Sequence, residues 1–129
     1  MADVDKRGLP NCGSEFPVFR KSITQMSWPG GGAGAAKTQD IALNGIIKRI
    51  VMKISAVSEA ITVTMTITDD LGNVIFSTGA KADGATYIFD EGELGTDAFC
   101  VVGTITITVT PSAEDANEAM TVDADFYGI

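Results

Sequence analysis

Glycine, lysine and threonine fall together in Gly31-Gly32-Ala33-Gly34-Ala35-Ala36-Lys37-Thr38, close to the G-x-x-x-x-G-K-[ST] order in which backbone N–H groups cradle a phosphate. The position before Lys37 should be glycine and is Ala36. A phosphate loop also needs a buried parallel strand before it and a helix of several turns after it, whereas Asn44-Gly45 signals a turn shortly after Lys37. The run therefore reads as a glycine hinge, and no nucleotide is expected on it.

Carboxylates are the next candidates. Asp90, Glu91, Glu93 and Asp97 share one stretch, and Asp69 and Asp70 share another. Calcium takes six to eight oxygens, but D-E-G-E-L-G-T-D lacks the alternating order of an EF-hand loop. A solvated acidic loop is the reading preferred here, with a calcium loop as its alternative. Asp69 to Asn73 reads as turn chemistry, with Gly72 at positive φ and Asp or Asn capping the backbone. Paired-carboxylate catalysis needs two acids whose surroundings split their pKa values, and no spacing selects such a pair. Histidine is absent, so none of the serines has an imidazole partner, and no G-x-S-x-G occurs. The chain reads as a non-enzyme with no catalytic residue, metal or cofactor.

The aromatic residues Phe16, Phe19, Trp28, Tyr87, Phe89 and Phe126 are mostly accounted for by core packing. Trp28, beside the glycine run, is the candidate for an exposed contact such as sugar stacking. Two cysteines are too few for a disulfide framework; Cys100 within AFCVVG reads as a small core residue, and a bridge to Cys12 stays open.

The net charge of −8 is unevenly placed. Residues 1–35 carry Lys6, Arg7, Arg20 and Lys21 against Asp3, Asp5 and Glu15, a balance of +1 that leaves −9 for the remainder. Nucleic-acid affinity comes mainly from Lys and Arg neutralising phosphates, so such a body would repel a nucleic acid. The apolar runs are too short to cross a bilayer, and MADVDKRGLPNCGSEF has no apolar signal region. Maturation in a cytoplasm, with no membrane partner, is the expectation.

These residues must be positioned by strands. Ala60–Ile67 and Gly103–Val109 alternate aliphatic residues with threonine without a slip. Side chains alternate faces along a strand, so Ile61, Val63, Met65 and Ile67 share one face and threonines the other; Ile105, Ile107 and Val109 repeat the pattern. Such strands are wet on one side and buried on the other, as in packed antiparallel sheets.

Further strands are expected over Val18–Trp28, Thr38–Leu43, Ile46–Ser55, Val74–Ser77, Thr86–Phe89, Ala98–Thr110 (with a kink at Gly103) and Met120–Tyr127. Residues 1–17 read as an extended arm, 18–129 as one domain, 29–36 as a flexible glycine-rich connection, and Pro111–Ala119 as a polar loop. An all-β antiparallel sandwich or jelly-roll-like barrel of seven or eight strands follows.

Asn44–Ser55 (NGIIKRIVMKIS), Ile61–Ile75 (ITVTMTITDDLGNVI), Val102–Thr110 (VGTITITVT) and Met120–Tyr127 (MTVDADFY) together resemble small virion structural proteins of tailed bacteriophages. The resemblance implies a capsid decoration or cement protein on the outer face of the shell, made in the host cytoplasm. Its implied partner is the major capsid protein, with self-association and a trimer at three-fold positions as a natural assembly. A tail or neck component, or a carbohydrate- or receptor-binding sandwich, is the alternative. No functional residue transfers from the resemblance, because the matched positions are scaffold. The arm and the strand after it are expected to reach a neighbour, with Phe16, Phe19, Arg20 and Trp28 as interaction residues.

Overall fold

A computed structural model describes residues 18–90 and 99–129. Their strands are β1 (Phe19–Ser22), β2 (Met26–Trp28), β3 (Lys37–Ala42), β4 (Gly45–Ile54), β5 (Thr62–Thr68), β6 (Val74–Ser77), β7 (Lys81–Ala82), β8 (Ala85–Phe89), β9 (Phe99–Val101), β10 (Thr104–Pro111) and β11 (Met120–Gly128). None of the described residues is helical. One sheet runs β1-β11-β4-β8, with β2 also on β11 and β9 on β4. The other runs β3-β10-β5-β6, with β7 on β5. Every pairing is antiparallel, and the two sheets enclose one core, giving the all-β sandwich that the alternation predicts.

The two threonine-alternating strands are neighbours. Ile107 of β10 pairs with Ile67 of β5 and Val109 with Met65, all four fully buried. Thr108 lies between Thr38 of β3 and Thr66 of β5 on the outer face. In the facing sheet, Ile50, Met52 and Ile54 of β4 turn inward beside Phe126, Ala124 and Val122 of β11. Each aliphatic side chain fully buried here contributes roughly 1.5–3 kcal/mol relative to exposure, and this double layer is where the fold's stability resides.

Among the described residues eleven strands stand where seven or eight are expected, and the excess has local causes. Val18–Trp28 is not one strand but two: at Ile23 the chain bends so that this side chain enters the core, while its N–H still donates to the Ala124 carbonyl at 3.1 Å. Ala98–Thr110 likewise divides at Gly103, whose φ of 87° is closed to most side chains. The chain changes sheets there, because β9 pairs with β4 in the first sheet and β10 pairs with β3 and β5 in the second. β7, two residues long, is too short to leave a periodic signal.

Candidate interaction surfaces

The two ends of the sandwich are built differently. At the Gly45 end of β4, a cleft of about 850 Å³ is lined by strand residues Phe19, Arg20, Lys48, Arg49 and Tyr127 together with Asp90, and flanked by Val18 and Ile129. Arg20, Tyr127 and Arg49 occupy one cross-strand row, Tyr127 pairing with an arginine on either side. The register then slips: Tyr127 pairs with Arg49, but Gly128 pairs with Ile47, leaving Lys48 as the extra residue of a bulge. A bulge re-aims side chains, which is how two consecutive cations come to line the same cleft. Beneath it the Phe19 ring lies against two glycines. A Cβ at Gly128 would collide with the Ile46 carbonyl and the Phe19 ring, and one at Gly45 would come within 3.0 Å of that ring.

At the Ile54 end, carboxylates are turned onto backbone amides. Asp115 is 2 % exposed; its Oδ1 accepts from the N–H groups of Asn117 (2.8 Å) and Glu118 (3.0 Å), and its Oδ2 from that of Glu59 (2.8 Å). The Asn117 N–H foremost, with that of Glu59 next, holds the Asp115 carboxyl below the ordinary value of 3.8. Asp83 accepts from Val57 at 3.0 Å and Ile61 at 3.3 Å, and Glu118 accepts from Ser58 at 2.9 Å.

Glu114 enters the glycine run. Its Oε1 accepts from Gly30 (3.0 Å) and Gly32 (3.3 Å), and its Oε2 from Gly34 (3.3 Å). Successive backbone N–H groups form an anion-binding concavity, here occupied by the protein's own carboxylate. The hinge expectation is thereby corrected: Gly31 also donates to the Asp115 carbonyl at 2.8 Å, and the run is pinned at several points. Lys37 and Thr38 open β3, a strand rather than the helix a phosphate loop requires.

Trp28 is 1 % exposed, which corrects the expectation of an exposed indole. Its Nε1–H donates to the Ala35 carbonyl at 2.7 Å, and Lys37 Nζ lies 5.5 Å from the ring centre. Trp28 thus closes the core beneath the glycine run. Phe19 is half-buried at the cleft floor and Arg20 is exposed at its wall, so these two come together while Trp28 lies at the opposite end. Phe16 and Cys12 fall outside the described residues, as do Glu91, Glu93 and Asp97. Cys100 is exposed rather than core: it pairs with Ile46, and strand alternation sends Val101 inward in its place.

The turn at Asp69–Asn73 is as the sequence predicts. Asp69 Oδ1 accepts from Leu71 at 2.9 Å and Asn73 at 2.8 Å, and Gly72 has φ 87°. The Asn73 N–H is the main cause that lowers the Asp69 pKa. Lys48, Arg49 and Tyr127 are surface residues that sequence reasoning does not single out. A signal for the first two exists: adjacent cations within Ile46–Ile50 violate strand alternation and mark the bulge.

The geometry defines a two-sheet antiparallel sandwich with one end tied by carboxylate-to-amide contacts and, at the other, an apolar-rimmed cleft where three cations outnumber the one acid, Asp90. No protein-family model matches the chain, and no curated protein matches it. Among solved structures it is similar to that of the infectious bursal disease virus Gx strain, with 11 % identity and a TM-score of 0.38 over 86 % of this chain and 31 % of that one. It is also similar to the VP2 subviral particle of the same virus, with 12 % identity and a TM-score of 0.39 over 85 % of this chain and 32 % of that one. The chain spans about a third of the length of these solved chains.

Proposed function

We propose that this chain is a non-enzymatic structural component of a virus particle, a decoration or cement protein that binds the outer surface of a capsid and stabilises the shell. The observation that carries this reading is how the side chains with chemical potential are used. Asp83, Glu114, Asp115 and Glu118 bind backbone N–H groups and join loops, so they serve the scaffold. The bursts of sequence resembling phage virion proteins fall on β4, β5, β10 and β11, the central strands of both sheets. A sandwich with a cleft lined by Val18, the residue that follows the N-terminal arm, suits attachment to a larger surface.

The test is co-sedimentation of the purified chain with capsids lacking it, followed by electron microscopy of the decorated shells. Saturable binding at symmetry-related positions supports the reading, and absence of binding rejects it. Deletion of residues 2–16 is expected to weaken that binding; undiminished binding would remove the arm from the mechanism.

A further inference from the structure

We propose that the cleft between β1, β11 and β4 receives the N-terminal segment of a second copy of this chain, with Glu15 between Arg20 and Arg49 and Phe16 against Tyr127 and the apolar rim. This deepens the assembly role proposed above and rests on it. Three observations converge. First, Glu15 and Phe16 precede Val18 by three and two residues, and Val18 is itself a wall of the cleft and 75 % exposed. The arm therefore starts where the cleft opens.

Second, the chemistry is complementary. The row Arg20–Tyr127–Arg49 sets a tyrosine between two arginines, and the bulge adds Lys48, so that three cations stand against the single acid Asp90 in the lining, all on a body with a large acidic excess. Glu15-Phe16 is a carboxylate followed by an aromatic ring, the pair that such a row would recognise. Val18 and Ile129, the latter 45 % exposed, supply apolar cover.

Third, the connection favours a neighbour over the chain's own cleft. Pro17 disfavours the helical region at Phe16, so Glu15-Phe16-Pro17 is biased toward extension rather than toward the reversal needed to fold back. Three extended residues reach only about 10 Å, so the two clefts must lie close together and the exchange is reciprocal in a pair, or passed round a closed ring.

The test is sedimentation velocity on the full-length chain over a concentration series, with circular dichroism as a folding check on every variant. Wild type is expected to self-associate. Arg49→Glu and Glu15→Arg are each expected to weaken association about tenfold or more. The double variant carrying E15R and R49E is expected to recover most of that loss, because the opposite charges meet again. A wild type that remains monomeric at high micromolar concentration overturns the proposal, as does a double variant no better than the singles. Capsid co-sedimentation of the wild type separates the two readings. Shell binding without self-association rejects only the exchange, and self-association without shell binding rejects only the capsid role.

Discussion

Asp115 and Glu59 hold two loops together reciprocally: Asp115 Oδ2 accepts the Glu59 backbone N–H at 2.8 Å, and Glu59 Oε2 accepts the N–H of Ala116, next to Asp115, at 3.3 Å. One of these loops leads into β5 and the other into β11, so the exchange ties the two sheets at their ends. A carboxylate is effective here because an ionised oxygen forms shorter, stronger bonds to N–H donors than a neutral one.

Asp115→Ala is expected to lower the melting temperature by several degrees, since it leaves the N–H groups of Asn117, Glu118 and Glu59 without their acceptor. Asp115→Asn keeps one carbonyl oxygen and should cost less. Thermal unfolding followed by circular dichroism checks the order; equal melting temperatures for all three proteins would contradict the network.

The pH dependence follows from the same contacts. Asp115 and Asp69 have folded pKa values below the ordinary 3.8, so the folded state binds fewer protons than the unfolded one. Their stabilisation is fully present above about pH 4–5 and is lost as the pH falls through the folded values. Melting temperature should therefore decline below about pH 4, and the decline should be shallower in Asp115→Asn.

Glu114→Ala should destabilise the fold by about 1–2 kcal/mol, as three glycine N–H groups lose a charged acceptor. The vacated concavity is suited to a small anion. Acetate is therefore expected to restore part of the melting temperature in this variant, relative to chloride at equal ionic strength, and to leave wild type unchanged.

Trp28→Ala should cost about 3–5 kcal/mol through the cavity it creates. Trp28→Phe should cost less, losing mainly the bond from Nε1–H to the Ala35 carbonyl. Denaturant unfolding of both variants checks this. A Trp28→Ala protein as stable as wild type would place the indole outside the core.

The fold was legible because its signal is periodic. Alternation over Ile61–Thr68 and Thr104–Thr110 places every inward residue correctly, and Asp69–Asn73 marks a real turn, whereas at Asn44-Gly45 the chain makes no hairpin but crosses from β3 in one sheet to β4 in the other. The failures fall where a residue serves a non-local partner. Gly30, Gly32 and Gly34 look like slack until Glu114, 80 or more residues away, is placed among them. Asp115 looks like any acid in a polar loop, and only the folded chain supplies its donors. Trp28 looked exposable because its neighbours are glycines, yet those neighbours form its lid. The cleft depends on a slipped register, which the adjacent cations Lys48 and Arg49 mark, and on pairing β1 with β11, which no local pattern encodes.

That same pairing sets a timetable. Ser22 and Asp125 bond across 103 positions of sequence, so β1 can find its neighbour only after β11 has emerged from the ribosome. At the usual 5–20 residues per second, this is a wait on the order of 5–20 s. The walls supplied by Val18, Phe19 and Arg20 can meet those supplied by Tyr127, Gly128 and Ile129 only once both stretches have been made. A half-made polypeptide thus carries one bank of the cleft without the other, and no opening exists until the two meet.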